Sequence, residues 1–369
     1  MISGFATLEG TAKFAKNNIA VNQKNFRKFQ GLTLSNVGMG TYLGNADENT
    51  DKLVVQAIKK SILAGINVID TAINYRSQKA ERSVGKAIGE LIDDKKINRN
   101  EIFISTKNGY VTNDGDIKED FWEYVNREYV KNGIIQSNDI SSGYHCMKVP
   151  YLEDQLNRSR KNLGLHCIDL IYLHNAAEGQ LQDISKEQFM KDLQLVFEFY
   201  EKMRKQEIIR FYGMATWNCF RVQKEDPQFL LLSEIMSLAE KVGGKNHGFR
   251  FIQLPFNMYL DQALMIQNQS FDGKTGTILD AAKMFEVGVF TSVPLMQAKL
   301  LSPGAMPEFG KLNAVMRALQ FTRSTPGVLS PLVGHKLESH VDENLEIMKI
   351  SPMSENEFHD LVKKLKKQI

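Results

Sequence analysis

Few cysteines, no long apolar run and almost no net charge are the first features of this sequence. Its three cysteines, Cys146, Cys167 and Cys219, are odd in number and lack C-x-x-C spacing. Neither a disulfide framework nor a zinc site is therefore predicted, and we expect no bound metal. No run of about eighteen apolar residues occurs, and the first ten residues lack a basic segment followed by an apolar one. We expect a cytoplasmic protein that has no membrane partner.

Positive and negative side chains nearly balance, because 46 Lys and Arg residues stand against 43 Asp and Glu residues, a net charge of +3. Nucleic-acid-binding domains usually carry a clear basic excess or a basic stripe, so no nucleic-acid partner is expected. Hydrophobic residues make up 43% of the 369 residues and charged residues 24%, which is typical of a globular protein with an ample core. Composition gives no indication of an oligomeric state.

Short apolar segments alternate with amphipathic helical segments along most of the chain. The predicted strands span residues 36–41, 66–70, 102–107, 168–174, 209–214, 251–254, 287–292 and 328–333. The predicted helices span residues 51–63, 79–92, 152–163, 186–203, 229–241, 277–285, 311–321 and 338–348. Eight strand–helix units in an unbroken row predict an α/β fold, a closed (β/α)8 TIM barrel. A doubly wound sheet is the alternative, but Gly38, Gly40 and Gly44 miss the G-x-G-x-x-G spacing that such a nucleotide-binding sheet requires.

Two segments fall outside this alternation, although we predict a single domain over residues 1–369 with a barrel core at about 31–348. Residues 26–34 predict an N-terminal hairpin that closes the bottom of the barrel. Residues 108–150 form an extended loop after the third strand, rich in Asn, Asp, Gly and Ser but with scattered aromatic residues. We expect this insertion to be too polar for a core of its own and to place its aromatic side chains in a substrate pocket. The alternative is an excursion that packs outside the barrel or mediates oligomer contacts.

Ionisable side chains follow three consecutive predicted strands. Asp70 ends the second strand and Tyr75 follows five residues later, while Lys107 and His174 end the third and fourth strands. Because the C-terminal ends of parallel barrel strands share one rim, where barrels build their active sites, these side chains are predicted to meet there. Each residue alone is as readily a helix cap or a solvated turn residue. Four complementary groups at one rim indicate a catalytic site.

The order and spacing of six motifs resemble the aldo-keto reductase superfamily over residues 31–348. The motifs are Gly38-Met-Gly-Thr41, Asp70-Thr-Ala-Ile-Asn-Tyr75, Ser105-Thr-Lys107, Asn162-Leu-Gly-Leu-His-Cys-Ile-Asp-Leu-Ile-Tyr-Leu-His174, Gln253-Leu-Pro-Phe-Asn257 and the segment from Gly334 to Asn344. The resemblance implies a (β/α)8 barrel that reduces aldehydes and ketones with a nicotinamide dinucleotide, usually NADPH. A small-molecule carbonyl substrate is therefore expected.

The resemblance also implies roles for the four strand-end residues. Tyr75 is expected to donate a proton to the carbonyl oxygen while hydride adds to the carbonyl carbon. A phenol has a pKa of about 10 and is a weak acid at neutral pH. We expect the Lys107 ammonium, held by Asp70, to lower the pKa of Tyr75 by about three units, an effect of ~4 kcal/mol. His174 is expected to bind and orient the substrate oxygen.

Two other functions are compatible with the same residues. A nicotinamide-binding regulatory subunit with little turnover is one alternative, since members of this superfamily also serve as partners of membrane channels. Loss of one of the four strand-end residues would favour that alternative, and all four are present. A barrel lyase would use Lys107 as a Schiff-base nucleophile, which requires a neutral amine. Asp70 beside the lysine favours the charged ammonium instead.

Positions that match the superfamily's cofactor contacts extend from the first strand to the last helix. They are Gly40, Thr41, Tyr42, Thr216, Gln253, Ser292, Gly334, Lys336, His340, Glu343 and Asn344. Two depart from the commoner pattern, because Thr216 belongs to an Ala-Thr pair in place of Ser-Asn, and Ser292 replaces an aromatic residue. Lys336 and His340 lie one helical turn apart near a helix N-terminus, which favours a 2′-phosphate. NADP is the predicted cofactor, with NAD as the alternative.

Overall fold

Eight parallel strands close into a barrel in this computed structural model, which describes residues 1–18 and 20–366. The barrel strands, β1 to β8 in chain order, are Gly38–Gly40, Val68–Asp70, Phe103–Asn108, Ile168–His174, Ile209–Ala215, Phe249–Pro255, Gly288–Ser292 and Val328–Gly334. Strands that follow one another in the sequence are neighbours in the barrel, and β8 pairs with β1 to close it. The predicted (β/α)8 barrel is confirmed.

A helix connects each strand to the next, and an eighth follows β8. These helices, α1 to α8, are Glu48–Leu63, Lys79–Asp93, Val149–Leu163, Lys186–Lys205, Leu232–Gly243, Ile278–Met284, Ala314–Ser324 and Glu338–Leu345. Outside the barrel lie the helices Leu8–Asn17, Ala176–Gln180, Gln262–Met265 and Glu355–Lys366. There are also 3₁₀ turns at Gln23–Asn25, Arg99–Glu101, Lys299–Leu301 and Glu346–Lys349. A short strand pair is formed by Gln269–Phe271 and Lys274–Gly276. Helix α1 begins earlier than predicted because the Asp47 side chain caps it, accepting a hydrogen bond of 2.7 Å from the Thr50 amide.

Successive residues of each strand pack on opposite sides of the barrel wall. In β2, Val68 belongs to the cluster inside the barrel and Ile69 to the layer beneath the helices. In β3, Phe103 likewise belongs to the interior cluster and Ile104 to the layer beneath the helices. Because side chains alternate along a strand and both sides of this wall are buried, the strands read as continuous apolar runs. This is why they were recognisable in the sequence.

The N-terminal hairpin closes the bottom of the barrel. Its strands, Phe26–Phe29 and Leu32–Ser35, pair antiparallel, as predicted for this segment. Leu32 and Leu34 join the interior cluster, and the Phe29 ring lies 5.2 Å from the Phe251 ring of β6. A Cβ atom on Gly288 of β7 would lie 2.8 Å from Phe29, so the wall carries a glycine where the hairpin approaches it.

The insertion at residues 108–150 has an apolar cluster of its own, so the expectation that it is too polar for one is wrong. It contains the helix Phe121–Val125, a π-helical turn at Asn126–Val130 and a 3₁₀ turn at Ser137–Asp139. The buried cluster consists of six insertion residues, Val111, Tyr124, Val125, Tyr129, Ile135 and Cys146, together with Tyr151 of α3. Arg158 of α3 donates to the Tyr124 hydroxyl and lies 5.3 Å from the Tyr129 ring centre. Aromatic residues at irregular spacing thus converge against α3, on the outside of the barrel.

Two kinds of feature are absent from the described residues. No helix in this part of the chain is both long and apolar enough to cross a membrane. Nor do residues 1–18 and 20–366 contain a group of three or more His, Cys, Asp or Glu side chains placed to hold a metal ion.

A buried ion pair near the bottom of the barrel predicts a large stability effect. Asp169 of β4 accepts hydrogen bonds from Arg99 at 2.6 Å and from the Ala6 and Ile104 amides at 2.6 and 2.9 Å. Replacing Asp169 with alanine should lower the free energy of unfolding by about 3–5 kcal/mol, because Arg99 would be left buried and unpaired. Urea unfolding followed by circular dichroism measures this loss.

The matched control is Glu187→Ala, which removes one partner of the exposed Glu187–Lys191 pair. Exposed pairs contribute little, so this variant should unfold at nearly the wild-type urea concentration. Equal midpoints for the two variants would contradict a stabilising role for the Asp169 network.

Candidate active site

The four strand-end residues predicted from the sequence meet at one rim of the barrel. Asp70 is the last residue of β2, His174 is the last of β4, and Lys107 lies one residue before the end of β3. Tyr75 lies in the turn between β2 and α2. The turn is fixed against β3, because the Thr71 amide donates to the Ser105 carbonyl at 3.0 Å and further backbone bonds follow.

Asp70 and Lys107 form a buried ion pair at this rim. Nζ of Lys107 lies 2.5 Å from Oδ2 of Asp70 and donates to the Thr71 carbonyl at 2.9 Å. The other carboxylate oxygen of Asp70 accepts from the Ser105 hydroxyl at 2.8 Å and from the Gln253 amide at 3.0 Å. Burial disfavours the charge on Lys107 and is the largest single effect, but Asp70 and Tyr75 together exceed it, so the pKa of Lys107 is raised. The lysine is therefore a cation at neutral pH.

Tyr75 lies directly beside this cation, with Nζ of Lys107 4.7 Å from the centre of its ring. The expectation that Lys107 lowers the pKa of Tyr75 is wrong in its net direction. Burial raises the pKa of Tyr75 above 10, and the opposing effect of Lys107, second in size, only reduces this rise. Desolvation of the phenolate exceeds the attraction of a single ammonium. The phenol consequently holds its proton throughout the physiological pH range.

His174 is held in its neutral form between two tyrosines. Its ring lies 5.8 Å from the Tyr75 ring and 5.0 Å from the Tyr110 ring, both edge to face. Burial, followed by the charge of Lys107, lowers the pKa of His174 well below 6.5. Its Nδ1 atom is buried and has no hydrogen-bond partner in the described part of the chain. A neutral imidazole here can donate a hydrogen bond without carrying charge into the site.

A cavity of about 740 Å³ opens at this rim and extends to the start of α8. Its walls include Gly40, Thr41, Tyr42, Asp70, Tyr75, His174, Thr216, Gln253, Ser292, Gly334, Lys336, His340, Glu343 and Asn344. The remaining residue predicted for the site, Lys107, is fully buried beside the Tyr75 ring. The sequence thus selected residues from seven separate segments that the fold brings to one cavity.

Several of these residues have partners within the protein that the sequence did not indicate. The Asn344 amide donates to Nδ1 of His335 at 2.9 Å, and Nε2 of His335 lies 2.8 Å from the Ser61 hydroxyl of α1. Burial lowers the pKa of His335 to about 4, so this imidazole joins α1 to α8 as a neutral group. Glu343 accepts from the Asn313 amide at 3.0 Å.

Other cavity residues were not selected from the sequence. Tyr110 and Trp217 each lie two residues beyond a strand end, at positions where the strand pattern alone could have found them. Of the insertion, which the structure describes throughout, only Tyr110 lines the cavity. After β7, Met296, Gln297 and Ala298 adopt left-handed backbone conformations in a row. Because none of these residues is a glycine, the sequence did not indicate a left-handed turn here.

The chain matches a known family. The family model for the Aldo/keto reductase family matches residues 36–267, and the chain belongs to that family. An NADH-specific methylglyoxal reductase of Escherichia coli strain K12 is 28% identical over 148 residues. That match covers 39% of this chain and 39% of the relative, so the chain spans about two fifths of the length of this curated relative.

Solved structures of similar fold cover nearly the whole chain. The holo form of an aldo-keto reductase from Bacillus halodurans is 19% identical with a TM-score of 0.61, covering 92% of this chain and 95% of that one. An aldo/keto reductase from Klebsiella pneumoniae in complex with NADP and acetate is 19% identical with a TM-score of 0.59, covering 92% and 94%. A glycerol dehydrogenase from Gluconobacter oxydans is 16% identical with a TM-score of 0.60, covering 92% and 94%. At these identities the likeness concerns the fold.

The lowered pKa of His174 predicts that this side chain does not titrate near neutrality. In protein labelled with ¹³C-histidine, the His174 ring signal, assigned by its loss in His174→Asn, should keep one chemical shift from pH 8 to pH 5.5. A folded-state pKa below the usual 6.5 means that protonation begins only at lower pH. Free histidine in the same tube is the reference, and a His174 midpoint near 6.5 would contradict this description of the site.

Proposed function

We propose that this protein reduces the carbonyl group of an aldehyde or ketone with hydride from NADPH, with Tyr75 as the proton donor. The observation that carries the proposal is the buried Asp70–Lys107 pair beside Tyr75, with His174 facing the same cavity. The family membership of the chain supports the reaction type. The name of the methylglyoxal reductase relative indicates carbonyl reduction with a nicotinamide cofactor.

The donor groups along the cavity fit a nicotinamide dinucleotide. Neutral hydroxyl and amide groups of Thr41, Thr216, Gln253 and Ser292 line the end near Tyr75, and the basic side chains Lys336 and His340 line the end at α8. A neutral ring with a carboxamide suits the first end, and phosphate suits the second. Bound in this cavity, NADPH would supply the hydride to the carbonyl carbon.

The adenosine end would be held by the first turn of α8 and the residues around it. Lys336 and His340 are proposed to bind the 2′-phosphate, while Gly334, Glu343 and Asn344 are proposed to contact the adenosine. Acidic side chains on the same helix would weaken this attraction, but Lys60 of α1 pairs with Glu338 at 3.3 Å and with Asp342 at 2.5 Å. We therefore propose NADP, with NAD as the alternative that the NADH-specific relative supports.

Tyr75 and Lys107 have different roles in proton donation. The raised pKa of Tyr75 keeps the phenol protonated, so the proton is present when a substrate binds. As this proton moves to the carbonyl oxygen, negative charge develops on the Tyr75 oxygen. The Lys107 ammonium is held in place by Asp70 before the reaction begins, so it stabilises that charge without reorganisation.

His174 and the surrounding walls determine which carbonyl compounds fit. A neutral imidazole donor would orient the carbonyl oxygen toward Tyr75. The neighbouring cavity residues Tyr42, Asn74, Tyr110, Asn175 and Trp217 are aromatic or carry carboxamides, and none has a formal charge. These walls favour an uncharged carbonyl compound, in agreement with the methylglyoxal of the relative's name.

The two alternative functions are less well supported by the same site. A Schiff-base lyase needs a neutral Lys107, whereas Asp70 raises the pKa of this lysine. A regulatory subunit with little turnover does not require the acid, the cation and the imidazole to be retained together. All three are present and lie within one rim.

Tyr75→Phe tests the assignment of the acid. This change removes the proton and keeps the ring, so carbonyl reduction should fall by about 10²–10⁴-fold while NADPH affinity remains nearly unchanged. Loss of NADPH absorbance with a panel of neutral aldehydes and ketones measures the first quantity, and fluorescence titration measures the second. Tyr144→Phe, in an exposed tyrosine of the insertion, is the matched control. A Tyr75→Phe variant that keeps more than about a tenth of the turnover would exclude Tyr75 as the acid.

The double variant Lys336→Ala/His340→Ala tests the proposed phosphate site. Each side chain is assigned to a 2′-phosphate that NADH lacks, and a hydrogen bond to a charged group contributes about 1.5–3 kcal/mol. NADPH affinity should therefore fall at least about tenfold, while NADH affinity should change little. Lys349→Ala/His359→Ala, on the exposed C-terminal segment, is the control. Equal weakening of both cofactors in a fluorescence titration would place the phosphate elsewhere.

A further inference from the structure

The two ends of the insertion meet at the rim, beside the proposed site. Its first and last segments run antiparallel, because the Cys146 amide donates to the Gly109 carbonyl and the Val111 amide to the Tyr144 carbonyl, both at 2.8 Å. Tyr110 and His145 face each other in this short ribbon, with their rings 5.5 Å apart. The ribbon leaves β3 one residue after the end of the strand that carries Lys107, so it lies at the rim itself.

The side chain of His145 connects this ribbon to the end of β4. Its Nε2 atom lies 2.8 Å from the His174 carbonyl oxygen, and its Nδ1 atom lies 3.0 Å from the Gln180 amide nitrogen. A carbonyl only accepts and an amide NH₂ only donates, so His145 is neutral with its proton on Nε2. Gln180 also donates to the His145 carbonyl at 3.1 Å, which fixes the orientation of its amide. Burial lowers the pKa of His145 to about 4.

Two glycines pack closely against the side chain of His145. A Cβ atom on Gly109, which has a left-handed φ of +117°, would lie 2.3 Å from Nε2 of His145. A Cβ atom on Gly179 would lie 2.6 Å from the His145 Cβ. Both distances are too short for any real side chain. The His145 ring therefore occupies a site that fits it closely on two sides.

The hydrogen bond from His145 adds to the backbone pairing at the end of β4, where the Asn175 amide donates to the Ala215 carbonyl at 2.6 Å. The Nδ1 atom of His174 is buried and has no partner in the described part of the chain, so no hydrogen bond at that atom sets the ring orientation. The next residue, Asn175, adopts a left-handed φ of 47°, and the chain leaves the barrel wall there. The position of the His174 ring thus depends on its backbone and on contact with Tyr75 and Tyr110.

We propose that His145 is a positioning residue that fixes the end of β4 and thereby holds His174 in place for carbonyl reduction. This inference rests on the proposed function. It assigns the insertion a part in the reaction although only Tyr110 of its residues lines the cavity. The His145 ring donates a hydrogen bond to the backbone carbonyl of His174, and the neighbouring Tyr110 ring contacts the His174 ring.

His145→Leu and His145→Gln are the variants that test this role. Leucine fills the buried space without a donor, whereas the glutamine amide can place an N–H where Nε2 lies. His145→Leu should lower kcat/KM for a neutral aldehyde at least about tenfold, mainly through kcat, with the Kd for NADPH within about twofold of wild type. His145→Gln should restore most of this loss.

A purely structural role would show a different pattern. His247→Leu removes another buried histidine, one that contacts Arg250 and does not line the cavity; it should lower the melting temperature and leave kcat/KM unchanged. If His145→Leu does not fold, Gln180→Leu takes its place, since it leaves the imidazole but removes the donor to Nδ1, and it should lower kcat/KM by a smaller factor. Unchanged kcat/KM in the folded variant, or equal loss in His145→Leu and His145→Gln, would overturn the proposal.

A second measurement separates this inference from the proposed function. The ¹³C–¹H signal of the His174 ring is sensitive to its distance from the Tyr75 and Tyr110 rings. It should shift in His145→Leu and stay near its wild-type position in His145→Gln. Wild-type protein without turnover on any carbonyl compound would overturn the proposed function alone. An unmoved His174 signal in both variants would overturn the positioning role.

Discussion

The buried ion pair between Asp70 and Lys107 is the interaction on which the rest of the rim depends. Two opposite charges removed from water are stable only when further polar groups satisfy them. Here Ser105, Gln253 and the Thr71 carbonyl do so. These groups come from β3, from β6 and from the turn after β2, so one pair ties the segment that carries Tyr75 to two strands of the barrel. The cation is fixed beside the phenol with no exposure to solvent.

The two ends of the barrel differ in what fills them. At the base, the hairpin residues Leu32 and Leu34 complete an apolar interior cluster with Phe103 and Phe251. At the rim, the insertion is anchored by its own aromatic cluster on α3. That cluster includes Val111 and Cys146 from the two ends of the insertion, so it also holds these ends beside the ends of β3 and β4.

Predictions from the sequence were reliable where apolar residues recur at a regular spacing. They were misleading where the outcome depends on the difference between two opposing energies. The strands were recognised because both of their sides are buried. The direction of the pKa shift of Tyr75 was wrong, because the attraction of Lys107 could be estimated from charge alone while desolvation depends on surroundings that the sequence does not give. The insertion was misjudged for a related reason, since Tyr124, Tyr129 and Tyr151 follow no strand or helix period and meet only after folding.

What the sequence by itself determined is the order of the strands, the four ionisable residues at or near their ends and many of the residues that line the cavity. These features follow from local apolar patterns and from motifs in which residues close in the sequence contribute to the same site. Tertiary structure alone decided which distant groups become partners. His145 meets the His174 carbonyl across 29 residues, and Gln253 meets Asp70 across 183. No local pattern encodes such pairs, because their formation depends on barrel closure bringing separate strand ends within hydrogen-bond distance.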